Sequence, residues 1–280
     1  MEAIHYYNGQ YLKKNEISIS PDDVGFLRGY GVFDFFRVEE GIPIFLDDHL
    51  DRLVASAQGI GIEMTLTRKE LEVIIYDLIK KNGLPVSSIK IFLTGGLTID
   101  GFTPSEPTIL ILNQPFSEPQ EGIYKTGASL MLYNYQRDFP TVKSTQYVKA
   151  LELQKAWQKD GHIDVLYHNG EYISEVSRSS VFIFKNGVLK TNKKEVLKGI
   201  TQTNVLRALK KKFPIEVGDI KLNEVLNADE MFITSTTKRI LPIIKVGEQL
   251  IGKGKIGELT NEAIQEFSVY VKDYINQHRQ

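Results

Sequence analysis

At 280 residues, with 42% hydrophobic and 25% charged side chains, the chain has apolar material for one large or two modest cores and too little bias for disorder, collagen or a coiled coil. Lysine plus arginine (34) balances aspartate plus glutamate (35). The electrostatic footprint of a nucleic-acid or anionic-membrane binder is therefore missing, and the expected partner is a small molecule or another protein. Cysteine is absent, which excludes disulfides, thiolate metal sites and cysteine nucleophiles and makes the reducing cytoplasm the expected location. No run approaches the roughly 18 apolar residues of a membrane helix, and Met1 to Lys14 lacks the basic start and apolar stretch of a signal peptide, so neither is expected.

In chain order, Ile4 to Tyr7 and Gln10 to Leu12 around Asn8-Gly9 predict a tight hairpin, and Phe33 to Glu39 with Ile42 to Phe45 around Glu40-Gly41 predict another. A helix follows, with Asp47 or Asp48 as N-cap, Leu50, Leu53, Val54 and Ala57 at helical spacing, and an end near Gly59 and Gly61. Thr67 to Lys81 predicts a second helix, opened by a Thr67/Glu70 capping box and closed at Asn82-Gly83. Ile89 to Thr94 and Thr108 to Asn113 predict strands around a loop, 95–107. The stretch 115–127 is rich in proline, glycine and glutamate and marks a boundary: a small α/β domain over 1–117, a linker over 118–127 and a larger domain over 128–280.

Within the larger domain the pattern predicts a strand at Ala128 to Tyr133, an irregular segment to Thr141 and a helix from about Thr145 to Lys159. Short strands at Ile163 to Tyr167, Glu171 to Ser174 and Val181 to Phe184 come next, then a helix from Thr201 to Lys212, a strand at Met231 to Thr234 and a closing helix near Leu259 to Tyr274. The expected fold class is mixed α and β.

Common short motifs are missing: no G-x-G-x-x-G, no P-loop, no G-x-S-x-G and no H-E-x-x-H. The five histidines, His5, His49, His162, His168 and His278, show no ligand spacing, so no metal is expected.

Six other segments occur in order: Arg28-Gly29-Tyr30-Gly31-Val32-Phe33-Asp34, His49-Leu50-Asp51-Arg52-Leu53, Val142-Lys143-Ser144, the run from Ile173 to Phe182, Lys198-Gly199-Ile200-Thr201, and Phe232 to Thr237. Together they resemble the class IV aminotransferases, the fold-type IV pyridoxal-phosphate enzymes that include branched-chain and D-amino-acid transaminases and aminodeoxychorismate lyase. The resemblance covers nearly the whole chain. It implies a small α/β domain beside a larger β-rich pseudo-barrel domain with helices, and a homodimer with active sites near the subunit interface.

Pyridoxal phosphate asks for a lysine to hold its aldehyde as a Schiff base, a carboxylate to keep the pyridine nitrogen protonated, and a cradle for a phosphate dianion. By resemblance Lys143 is the Schiff-base lysine. Glu175, 32 residues further on (175 minus 143), is the pyridine partner. Ser180 stands where many members have asparagine. Ile200 and Thr201 open a helix whose free N–H groups suit a phosphate, Ser235 and Thr236 add hydroxyls after a strand, and Arg52 adds a guanidinium. Tyr147, four residues beyond Lys143, is a candidate for the cofactor's phenolic oxygen and equally a candidate core residue.

The substrate side is less familiar. The loop 94–102 lacks the Arg-x-His of well-known D-amino-acid transaminases, Phe33 replaces a tyrosine common in the family, and Ser235 to Arg239 replaces the G-T-A turn of the branched-chain members. Arg178 and Arg28 are the expected carboxylate clamp, Arg178 otherwise pairing with Asp34, Glu175 or surface acids. Phe33 and Thr237 are expected at the substrate, while Phe33, Phe35, Phe36 and Phe102 are candidates either for the walls of an apolar pocket or for plain core, the commoner role of aromatics alternating along a strand. The implied reaction moves an amino group between an amino acid, branched-chain or D, and a 2-oxo acid; the alternative is an aminodeoxychorismate-type lyase.

Overall fold

The computed structural model describes residues 2–279, and the chain divides into two compact units. Unit 1 comprises the residues up to Ser117, Thr141–Gln146, and those from Tyr274 on. Its elements are β1 (Ile4–Tyr7), β2 (Gln10–Lys13), α1 (Val24–Arg28), β3 (Gly31–Glu39), β4 (Ile42–Pro43), α2 (Leu46–Gly59), α3 (Arg68–Asn82), β5 (Val86–Thr94) and β6 (Thr108–Pro115). Among the described residues the strands form one sheet in the order β2-β1-β6-β5-β3-β4, every pair antiparallel.

Alternation along β3 sets the two faces of that sheet. Val32, Phe36 and Val38 point into a core shared with Leu50, Leu53 and Ala57 of α2 and with Leu71, Ile75 and Leu78 of α3. Asp34 has the same parity, so its carboxylate enters that apolar layer, 1% exposed. Phe33 and Phe35 take the other face. Phe33 stacks on Phe92 with ring centroids 5.9 Å apart.

The α3 helix begins as its sequence implies: Thr67 accepts from the Glu70 N–H, Glu70 reaches back to the Thr67 N–H, and Gly83 closes the helix at φ +56°. The α2 helix differs from expectation. Its N-cap is Phe45 at φ +56° with no side-chain cap, and Asp47 and Asp48 fall inside the first turn, where carboxylates still favour the helix dipole.

Unit 2 comprises Glu118–Pro140 and Tyr147–Asp273. It holds α4 (Gly122–Thr126), β7 (Ala128–Asn134), α5 (Val148–Lys159), β8 (Asp164–His168), β9 (Ile173–Val176), β10 (Ser180–Lys185), β11 (Val188–Thr191), α6 (Ile200–Leu209), β12 (Ile215–Val217), α7 (Leu222–Leu226), β13 (Glu230–Ser235), β14 (Arg239–Val246), β15 (Gln249–Leu250) and α8 (Glu258–His278), whose last residues count with unit 1. The sheet runs β12-β11-β10-β13-β14-β7-β8-β9, with β15 added to β14. It mixes parallel and antiparallel pairs and is strand-rich and curled.

Its central strand β10 is buried on both faces. Val181 and Ile183 join Leu130, Leu166, Ile233 and Leu241 in one core. Phe182 stacks on Phe232 on the other side at 4.9 Å.

Two boundaries move for identifiable reasons. The α5 helix starts at Val148 rather than Thr145, because residues 143–145 lie in unit 1, where the Thr145 N–H donates to the Gly31 carbonyl and Ser144 bridges Val32. Strand β14 goes beyond the sequence expectation, since Pro242 argues against a central strand. Pairing with β7 begins only at Ile243, so on that side the proline forfeits no ladder bond.

Candidate active site

In unit 1 the segment around Lys143 is held by its backbone. Its N–H donates to Ser56 Oγ at 3.1 Å and its carbonyl accepts from the Phe33 N–H at 3.0 Å, so the free side of β3 acts as a template for an otherwise irregular stretch. The ammonium Nζ sits 4.6 Å from the centre of the Phe33 ring, a cation–π distance that fixes where the amine projects.

Behind that strand face lies a buried ionic group. His49 and Arg52, three residues apart on α2, share a helix face and both meet Asp34. His49 Nδ1 is 2.6 Å from Oδ1, while Arg52 Nε and Nη2 grip both carboxylate oxygens at 2.8 Å. Burial works against the Asp34 charge, yet Arg52 and His49 outweigh it and hold the carboxyl well below its usual range. Burial drives His49 the other way, toward the neutral ring, aided by the charges of Arg52 and Lys143. With Asp34 ionised, the neutral ring must donate its Nδ1 proton to Oδ1. Arg52, expected on a phosphate, thus spends two of its donors on Asp34.

Arg28 is exposed, with Nε donating to the Gly101 carbonyl at 3.1 Å. The four phenylalanines do not make one wall. Phe36 belongs to the core beside the His49 ring, Phe102 is 76% exposed, and Phe33 and Phe35 occupy the opposite strand face from Phe36.

In unit 2 Glu175 lies on β9 with its side chain 8% exposed and its Oε1 2.6 Å from Arg137 Nη1. Burial opposes the guanidinium charge, but the Glu175 carboxylate overrides it and raises the Arg137 pKa above the ordinary value. Sequence reasoning missed Arg137. It lies in the irregular stretch before Lys143, and the one available signal was that a buried glutamate needs a cation. Tyr147 caps the start of α5 near the Arg137 charge.

The start of α6 has Gly199 as N-cap with no side-chain cap, leaving the first-turn N–H groups of Ile200 and Thr201 to another acceptor. A Cβ at Gly199 would run into Ser180 Oγ, so a larger residue there would have to turn that hydroxyl aside. The tight turn from β13 to β14 is organised by Ser235, whose Oγ is 3.2 Å from Thr237 Oγ1 and accepts from the Lys238 N–H at 3.2 Å. Thr236 lies between them, half-buried, and Arg239 closes the turn at φ +54°. Arg178, 55% exposed, has Nη2 3.4 Å from Asp164 Oδ2, and Lys238 Nζ lies 3.9 Å from the same oxygen.

The amino-transferase class IV family model matches residues 31–246. The chain belongs to this family. It is 30% identical over 273 residues, 94% of both chains, to a putative branched-chain-amino-acid aminotransferase of Methanocaldococcus jannaschii. It is 24% identical to the D-alanine aminotransferase of Staphylococcus aureus strain N315, over 98% of this chain and 99% of that one. Among solved structures, the Escherichia coli branched-chain amino acid aminotransferase superposes with a TM-score of 0.88 at 22% identity, covering 96% of this chain and 94% of that one. This class IV aminotransferase is therefore a transaminase enzyme of the fold-type IV architecture, and its cofactor is pyridoxal 5'-phosphate.

The residues present fit that cofactor. Unit 2 supplies a helix start free of side-chain caps, a buried charged carboxylate, and two buried hydroxyls without hydrogen-bond partners, Ser179 Oγ and Thr234 Oγ1. Unit 1, taken by itself, holds the Lys143 amine on a backbone fixed by Ser56 and Phe33. Among the described residues no cluster of histidine and carboxylates suited to a metal occurs, and no helix is long and apolar enough to cross a membrane.

Replacing Asp34 by asparagine should strand Arg52 in the core and cost roughly the 3 to 5 kcal/mol typical of breaking a buried pair. The depressed Asp34 pKa adds stability that is complete above the unfolded value near 4 and is lost as pH falls through the lower folded value. Denaturant unfolding of both proteins from pH 7 to pH 2 should give a wild-type stability that declines below about pH 4 and a smaller decline in Asp34→Asn.

Proposed function

We propose that this chain exchanges an amino group between an amino acid, branched-chain or D, and a 2-oxo acid in two half-reactions, with Lys143 as the residue that carries the cofactor. The carrying observation is the clamped Lys143 segment, which directs one amine past the Phe33 ring from a backbone fixed on both sides. Pyridoxal phosphate, when bound, supplies the electron sink that stabilises negative charge at the substrate Cα.

In this reading Lys143 would hold the cofactor by its aldehyde, and its amine, when free, would take up and return a proton at the substrate. Glu175, held ionised against Arg137, keeps the pyridine nitrogen protonated. Ile200, Thr201, Ser235, Thr236 and Arg52 receive the phosphate. Tyr147 serves the phenolic oxygen. Arg178, Arg28, Phe33 and Thr237 face the substrate.

The family setting and the exposed apolar side chains of unit 1, Phe26 and Ile99 foremost, support a homodimer. Zero cysteines support a cytoplasmic setting.

Lys143→Ala should abolish turnover and borohydride fixation of the cofactor while leaving the thermal transition of the protein within a few degrees, because the amine lies outside the cores. A variant that transaminates near the parent rate removes Lys143 from the mechanism. Glu175→Gln should retain cofactor but lose at least tenfold in the rate of the first half-reaction at saturating amino acid, since an amide does not hold the pyridinium proton. Weakened cofactor binding at an unchanged rate would contradict that role. Supply of a 2-oxo acid should return the enzyme to its starting absorption; repeated turnover of aminodeoxychorismate to pyruvate with no oxo acid present would instead mark a lyase. Sedimentation at micromolar concentration should find the active species as a dimer, and an active monomer would overturn that part.

A further inference from the structure

Lys238 is a buried ammonium that the mechanism above does not use. Its side chain is 14% exposed, and its only ion-pair partner among the described residues is Asp164 on β8, itself fully buried. Asp164 Oδ1 is already occupied by the Val165 N–H at 2.9 Å and by the Ser177 hydroxyl. Its Oδ2 therefore faces two cations, Lys238 Nζ at 3.9 Å and Arg178 Nη2 at 3.4 Å, neither in close contact and neither with another carboxylate among the described residues.

Two positive groups on one carboxylate leave one charge uncompensated, with Lys238 and Asp164 buried and Arg178 at the solvent-facing edge of the cluster. Such an arrangement is costly unless an anion completes it. Burial lowers the Lys238 pKa most, Asp164 works to raise it and Arg178 lowers it further; the net direction is down. The turn holding Lys238 is rigid: its N–H donates to Ser235 Oγ, and its carbonyl accepts from the Tyr124 hydroxyl at 2.9 Å. The ammonium is thus presented by fixed backbone rather than by a mobile loop, as a recognition group requires.

We propose that Lys238 and Arg178, braced on Asp164, form the anion-binding pair that receives the substrate's carboxylate, with Lys238 rather than Arg28 as the companion of Arg178. Asp164 is the positioning residue, and the pair selects amino acids over simple amines. This rests on the transaminase reading above and deepens it.

The test uses the holoenzyme, its Lys238→Met and Lys238→Arg variants, and two readouts. Calorimetric titration with 4-methylpentanoate, a carboxylate that cannot react, should show at least tenfold weaker binding to Lys238→Met and recovery of most of it in Lys238→Arg. Single-turnover rates with leucine and with isopentylamine should show the acid-to-amine preference falling at least tenfold in Lys238→Met. Unchanged carboxylate binding, or equal losses for acid and amine, would overturn the proposal. Should Lys238→Met fail to fold, Arg178→Met at its exposed position carries the same two expectations. Failure of borohydride to fix cofactor in the wild-type protein would defeat the transaminase reading itself, whereas the 4-methylpentanoate titration reports on the pair independently of that chemistry.

Discussion

A carboxylate withdrawn from water must find positive charge or strong donors, and among the buried carboxylates of the described residues the three that pair with cations organise much of the polar interior. Asp34, Glu175 and Asp164 all lie on strands and all are nearly or wholly buried. Strand geometry delivers each one inward at a fixed depth, and the surrounding segment then has to supply the partner. For Asp34 the partner comes from a helix packed on the strand, for Glu175 from an irregular segment, and for Asp164 from two turns. The stabilising value of such pairs is small or even negative compared with apolar side chains of the same volume, so their presence points to a demand other than stability.

The three differ in how far their charge is balanced. Asp34 takes both oxygens' worth of donors from Arg52 and the neutral His49 ring, which makes it a structural lock that ties α2 to β3 at the level of Phe33 and the Lys143 backbone. Glu175 is gripped hard at one oxygen, 2.6 Å from the Arg137 guanidinium, and more loosely at the other, where the Leu197 N–H donates to Oε2 at 3.4 Å.

Much of this was legible in the sequence, for reasons that differ by element. The α3 helix was readable because its start and stop are local chemistry, a capping box and a left-handed glycine. The α2 start was not, because Phe45 adopts φ +56° to suit packing and turn geometry rather than any capping residue. Lys143 and Glu175 stood out through motif order, and the helix opening at Ile200 through its glycine. Arg137 and Lys238 stayed hidden because their significance depends on partners 38 and 74 residues away (175 minus 137 and 238 minus 164), contacts that only the sheet pairing of unit 2 creates. Phe33, Phe35 and Phe36 looked like one aromatic wall, yet the period of two assigns Phe36 to the core and the other two to the opposite face.

The overall balance of charge sharpens the meaning of the Asp164 cluster. With 34 basic and 35 acidic residues, the protein has no long-range field that would gather polyanions. Any preference for an anion has to be built locally, by removing water around a few cations and limiting the negative charge allowed beside them. Asp164 is buried, it anchors the buried Lys238 and the more exposed Arg178, and it is one charge against two. A second acid at this place would neutralise the pair, and the loss of Asp164 would leave two cations repelling each other with nothing to fix their spacing. One carboxylate beneath two cations is the arrangement that both holds them and leaves them short of a charge.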